Sequence, residues 1–260
     1  MGDKFRFGGR EMAKIAVYSV KGGVGKTTFA ANLGWCAAKL SNRRTLVWDL
    51  DAVNGSGFLL GVDGMPRSQA SSLITLDRNP ERHIHSTSFD NLDVLPADES
   101  LRNLDQHLQQ IGKRNRLTKL SQLLSKRYER IIFDCPAVLN EVSAQVVRGA
   151  DLVIVPLPPS PLSKRSFDLV VKEIKGAGSV HPPILPVLSM MDMRRNLHRA
   201  ARAKQPNWPA IPLASAMEQC AVRQQPVPTF APYSPAARSI TSLWQAIESK
   251  LLVREQAAAA

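Results

Sequence analysis

The sequence predicts a single α/β domain built on a mostly parallel, twisted sheet with helices on both faces. Three observations predict it. Short apolar runs rich in β-branched residues recur between residues 14 and 213. Amphipathic stretches separate them, the pattern of strands joined by helical crossovers. The 260 residues contain no internal repeat and no long low-complexity linker, and a chain of this length can bury a substantial core as one unit.

The elements follow in order. KIAVYSV (residues 14–20) reads as a strand that runs into glycines, and TFAANLGWCAAKL as a helix packed on a sheet. TLVWD (Thr45–Asp49), NLDVLP (91–96) and RIIFD (Arg130–Asp134) are further strands, as are DLVIVPL (151–157), ILPVLSM (184–190) and a short AIPL (210–213). The proline-rich pieces PLPPSP (156–161) and PVPTFAP (226–232) sit where strands end and read as loops. The last helix carries Ile240, Leu243, Trp244, Ile247 and Leu251 on one stripe, with a mixed polar face, which predicts packing on the sheet and not on a membrane surface. Residues 1–12 are expected as a flexible tail, 13–252 as the domain and 253–260 as a disordered end.

Composition narrows the chemistry. Lys and Arg number 34 against 22 Asp and Glu, a net charge of +12 that favours polyanions. Cys36, Cys135 and Cys220 lie far apart with no CxxC pair, which excludes the usual zinc and iron–sulfur spacings and suits a reducing cytosol. No apolar run approaches the roughly 18 residues of a spanning helix, and the start lacks the apolar stretch of a secretory signal, so the expected location is cytoplasmic without membrane insertion.

The stretch VYSVKGGVGKTT carries the clearest chemistry. Gly22, Gly23, Val24, Gly25, Lys26, Thr27 and Thr28 follow a strand and open a helix, the context of a phosphate cradle. The glycines let backbone N–H groups turn inward around a β-phosphate, and the helix N-terminus adds its dipole. Lys26 is expected on the β/γ oxygens, the Thr27 hydroxyl on Mg²⁺ and Thr28 near the α-phosphate. TLVWDLD ends a strand with Asp49 and Asp51 on one side, near the strand end where ligands bind in open α/β sheets.

One lysine exceeds what a phosphate cradle requires. With Lys21 in front, KGGVGKT resembles the deviant Walker A loop of the ParA/MinD family of ATPases. The resemblance runs through nearly the whole chain, including DNLDVLPADESL, YERIIFDCPA, ADLVIVPLPPSP, SMMDMRRNL and VPTFAPYSPAAR. It implies ATP and Mg²⁺ as cofactors and a homodimer with ATP held between subunits. Lys21 would reach the partner subunit's phosphates, as an arginine finger does. By the same resemblance Asp51 orients the attacking water, Asp49 stands near Mg²⁺ and Asp134 holds a Mg²⁺-bound water. The adenine would lie near Met190, Asp192 and Pro212. The chain departs from the family in reading DAVNG for the usual DPQGN and DCPA for DCPP, two loops expected to sense the γ-phosphate. No glutamate base is evident, which fits slow hydrolysis through positioning and charge.

Cations cluster at residues 113–127 and 194–204. In the first cluster leucines 117, 120 and 124 bury one face and leave Lys113, Arg114, Arg116, Lys119, Lys126 and Arg127 largely free. The second matches the region where ParA-like proteins carry DNA-contacting arginines. Arg194, Arg195, Arg199, Arg202 and Lys204 are therefore expected to meet DNA phosphates without sequence preference, aided by Lys113, Arg114 and Arg116. The implied function is a slow ATPase, nucleoid-associated and stimulated by a partner, that positions or segregates a cargo through an adaptor: a plasmid, a chromosome or a large protein assembly. Two other classes stand beside this one. One is an ATP-locked dimeric scaffold for a secretion or polar complex with little DNA binding. The other is an amidoligase of cobyrinate type, which shares the loop but should carry a Cys–His amidotransferase domain for which the chain has no room.

Overall fold

A computed structural model describes residues 6, 7, 10–62, 70–75, 80–110, 115–176 and 181–259. Strands β1 (Arg6–Phe7) and β2 (Arg10–Glu11) form a small antiparallel ladder ahead of the domain, where the sequence suggests only a tail. Then come β3 (Ala13–Val17), α1 (Lys26–Leu40), β4 (Thr45–Asp49), α2 (Gly55–Leu59), α3 (Ala70–Thr75), β5 (His85–Ser86) and β6 (Leu92–Leu95). The middle of the chain holds α4 (Leu104–Gln110), α5 (Arg116–Leu124), β7 (Arg130–Asp134), α6 (Glu141–Gly149), β8 (Leu152–Leu157) and α7 (Pro161–Gly176). The remainder is β9 (Ile184–Met191), α8 (Asn196–Lys204), β10 (Ala210–Pro212), α9 (Ser215–Arg223), α10 (Val227–Phe230) and α11 (Pro235–Ala259).

The main sheet has eight strands in the order β10-β9-β8-β3-β7-β4-β6-β5. All its pairs are parallel except β5 with β6. Central strands β4 and β7 are buried along their whole length, as their unbroken apolar runs require of a sheet covered on both sides. One face packs Tyr18, Trp48, Ile131 and Phe133 against the α3–α7 side. The other packs Ile15, Val17, Val47 and Ile132 under α1 and α11. Ile240, Leu243, Trp244, Ile247 and Leu251 all face this second layer, so the last helix docks on the fold as its stripe predicts. That helix continues to Ala259, past the point where a disordered end was expected.

Arg116 corrects the expectation of a free basic face. It is buried at 5% exposure, and its guanidinium donates to the carbonyls of Leu73 and Ile74. Those carbonyls belong to the last turn of α3, which has no intrahelical donors left to offer them. Arg116 thus closes a helix end and is not available to DNA. Lys113 and Arg114 lie outside the described residues.

Candidate active site

Register builds the site. Val17 pairs with Asp134 across β3 and β7, and Asp134 pairs with Asp49 across β7 and β4. The loop leaving β3 therefore turns over the two carboxylates. Within it Gly23 (φ +68°) and Gly25 (φ +94°) adopt the left-handed conformation that a side chain resists. Gly25 caps α1, which has neither a side-chain cap nor an acid in its first turn. The free N–H groups at this helix end are left for an anion. Lys26 is buried at 8% exposure.

The carboxylates are tied by a residue that sequence reasoning missed. The Ser56 amide donates to Asp49 Oδ2 at 2.7 Å, and its hydroxyl donates to Asp134 Oδ2 at 2.8 Å. The Asp51 amide donates to Asp49 Oδ1 at 2.9 Å. Both Asp49 oxygens are thus held, while Asp134 Oδ1 is buried without a hydrogen-bond partner. Burial, then the neighbouring Asp134 charge, pushes the Asp49 carboxyl well above its ordinary range. Burial also pushes Asp134 up to about 6, against the lowering pull of the Ser56 and Thr27 hydroxyls and the Lys26 ammonium. Two buried carboxylates with one unclaimed oxygen suit a divalent cation. Among the described residues no group of three or more His, Cys, Asp or Glu could hold a metal by itself. Mg²⁺ is commonly held by one or two carboxylates together with substrate phosphates. Gly55 is the other missed residue: a Cβ there would stand 2.8 Å from the Thr27 methyl. The signal for both was the NGSG run (54–57) that begins three residues after Asp51.

Asp51 is partly buried at the mouth, its carboxylate accepting from the Val53 amide at 3.3 Å. Lys21 is engaged outside its own loop. Its ammonium donates to Ser163 Oγ at 3.2 Å and Ser160 Oγ at 3.4 Å, at the start of α7.

Beside the loop lies a cavity of about 220 Å³, lined by Val24, Gly25 and Thr28 on one side and by Ser189, Met190 and Pro212 on the other. Met190 and Pro212 thus line one cavity. Met190 holds a left-handed backbone (φ 54°), unusual for a non-glycine residue and a mark of functional sites. Asp192 does not line the cavity. β9 ends at Met191, and the Asp192 carboxylate turns to the Arg194 guanidinium, with contacts of 2.9 and 3.0 Å. That hydrogen-bonded pairing lowers its pKa to about 2. Ser189 was missed. Its hydroxyl is buried with no hydrogen-bond partner, and Leu185 and Val187, four and two residues before it, pack in the layer of α1, the side on which the cavity opens.

The expected DNA residues are all on or beside α8. Arg195 and Lys204 are exposed. Arg199 donates to the carbonyls of Met193 and Arg194, and Arg202 to that of Trp208. Three of the five guanidinium groups and amines are thus partly engaged within the chain, counting Arg194 with Asp192.

Comparison with known proteins agrees with this geometry. The family model described as an AAA domain (AAA_31) matches residues 12–181. The sporulation initiation inhibitor protein Soj of Bacillus subtilis is 32% identical over 145 residues, covering 55% of this chain and 57% of Soj. The chromosome partitioning protein ParA of Caulobacter vibrioides is 30% identical over 191 residues, 70% of this chain and 71% of that one. The chain spans little more than half the length of several curated relatives that it matches. Its fold is that of the septum site-determining protein MinD from Pyrococcus horikoshii, solved with Mg-ADP, at a TM-score of 0.76, 24% identity, and coverage of 91% of this chain and 96% of that one. With its loop, its paired strand-end carboxylates and its family match in agreement, the chain belongs to the ParA/MinD family of P-loop ATPases.

Proposed function

We propose that this protein is a Mg²⁺-dependent ATPase that closes a homodimer around ATP and uses hydrolysis to position or segregate a cargo in the cytoplasm, through an adaptor or stimulating protein. One observation carries the reading. Lys21 stands at the front of a complete phosphate loop, and its ammonium donates to Ser160 and Ser163 on another element. A lysine so placed can serve the phosphates of a second copy.

In this reading the N–H groups of residues 22–28 and Lys26 cradle the phosphates. Thr27, Asp49 and Asp134 hold Mg²⁺, which when bound neutralises charge on the transferring phosphoryl group. Asp51 orients water, and Lys21 adds a cation from the partner subunit. The base enters the cavity under Met190 and Pro212. DNA would bind without sequence preference through Arg195 and Lys204 together with Arg194, Arg199 and Arg202, concentrating the protein on the nucleoid. Pairing two such patches in a dimer makes the affinity depend on ATP. The engagement of Arg194, Arg199 and Arg202 within the chain favours a second reading, an ATP-locked scaffold with little DNA binding.

Light scattering after size exclusion, with ATP against ADP, tests the dimer. Fluorescence anisotropy with random duplex DNA across a salt series separates the two readings. ATP-dependent binding with a steep salt slope supports the first, an ATP dimer indifferent to DNA supports the scaffold, and a monomer in ATP overturns both.

A further inference from the structure

A cleft of about 460 Å³ opens between α7 and α8. It is larger than the base cavity and within the size range of ligand sites, about 300–1,000 Å³. The phosphate chemistry does not use it. Its walls include Leu157, Phe167, Leu188, Leu197, Ala201 and Trp208. Phe167 and Trp208 meet edge to face with ring centroids 5.8 Å apart, and Leu197 is 49% exposed. The wall also carries Ser160 and Ser163, the two hydroxyls that hold Lys21.

Charge selects the occupant. Lys164 and Lys204 stand on the cleft, and the acid among its described lining residues, Asp168, is already paired with Lys164 at 2.8 Å. α8, NLHRAARAK, contains no acidic residue. A wall of leucine and aromatic rings offers nothing to a nucleic-acid phosphate, so a bare polyanion would leave the cleft unfilled. A protein segment that inserts a bulky apolar side chain and sets carboxylates beside Lys204 satisfies both features. Aromatic and aliphatic anchors in such pockets dominate docking energies.

We propose that this cleft docks a bulky apolar side chain from an acidic protein segment, and that its seating releases Lys21 from Ser160 and Ser163. The second half rests on the reading of Lys21 as the lysine offered to a partner subunit. The release has a physical basis. Two neutral hydroxyls at 3.2 and 3.4 Å are long contacts for an ammonium, so a modest shift of the start of α7 breaks them.

Short random peptides displayed on phage, panned on the wild-type protein and counter-panned on Ala201→Trp, provide the probe. Recovered peptides should pair a large apolar residue with Asp or Glu. Synthesised, they should bind the wild type at least about tenfold more tightly than Ala201→Trp or Lys204→Glu, each of which must still bind ATP as a check on folding. They should also raise ATP turnover in the wild type and lose that effect in Ser160→Ala/Ser163→Ala, where Lys21 is already free. Peptides without acids, peptides indifferent to Ala201→Trp, or none recovered would overturn the docking site. Equal loss of DNA binding and peptide binding in Ala201→Trp would assign the cleft to nucleic acid and also overturn it. Failure of the wild type to dimerise in ATP, with peptide binding intact, would strike the reading of Lys21 and leave the docking site standing.

Discussion

Ser56 joins Asp49 to Asp134: its amide holds one carboxylate and its hydroxyl the other, at 2.7 and 2.8 Å. Ser56→Ala keeps the amide contact and removes the hydroxyl. Asp134 would then have no bond from Ser56 on either oxygen. The expected result is a loss of Mg²⁺-dependent ATP affinity of about tenfold, with stability lowered by about 1–2 kcal/mol. A Mg²⁺ titration of fluorescent ATP binding, beside a thermal melt, checks both. Unchanged Mg²⁺ dependence would show that the carboxylates need no tie.

The two lysines should separate cleanly. Lys26→Ala removes the buried counter-charge of the loop and should abolish ATP binding. Lys21→Ala should leave ATP binding measurable and lose the ATP dimer, because its target lies on another copy. Equilibrium binding and light scattering on the same samples decide it, and a Lys21→Ala protein that still dimerises with ATP would reduce Lys21 to a loop charge.

Asp51→Ala should bind Mg·ATP and remain dimeric while turnover falls by at least about a hundredfold, the scale of a lost positioning group. Single-turnover phosphate release is the measurement. Normal turnover would mean that Ala52 and Val53, where the family usually reads proline and glutamine, accompany a different placement of the water.

Ser189 predicts a difference between ligands. If its unpartnered hydroxyl meets the base, Ser189→Ala should weaken ATP by about tenfold, one buried hydrogen bond's worth, and leave inorganic tripolyphosphate unaffected. Calorimetry with the two ligands makes the comparison, and an equal loss for both would place the serine's role in the scaffold.

Far from the site, Glu248 of α11 accepts from Arg43 at 3.0 Å and from Arg130 at 2.8 Å, all three buried. Removing Glu248 takes a buried carboxylate from both guanidinium groups, leaving Arg43 with Glu129 at 3.0 Å and Arg130 with the Glu129 carbonyl at 2.8 Å. Glu248→Ala should cost about 3–5 kcal/mol, a fall in Tm on the order of 10 °C, with ATP affinity unchanged below the transition. A small effect on Tm would mean that water enters to replace the carboxylate.

The strands of the main sheet other than β5 were legible because they are apolar runs, the central ones buried on both faces, and the loop because its glycines and lysines are contiguous. Asp49 and Asp134 were legible because strand ends carry function in this class of sheet. What escaped was set by contacts distant in sequence. Ser160 and Ser163 lie 139 and 142 residues from the lysine that they hold. Arg116 looked like surface because its leucine pattern puts it off the buried stripe, yet the end of α3 needed a donor. Asp192 looked like a site residue from its neighbours, but the strand ends one residue earlier, and an arginine two residues on claims it.

The sheet's flanks have a consequence for assembly. Its outermost strands are three residues (β10) and two residues (β5) long, and β5 runs against its neighbour. Edges this short give an incoming strand almost no ladder to extend, and such blunting is how sheet proteins resist edge-to-edge aggregation. Lateral strand addition is therefore disfavoured on both sides of this sheet, which leaves the strand tips and the helical layers for any contact between copies.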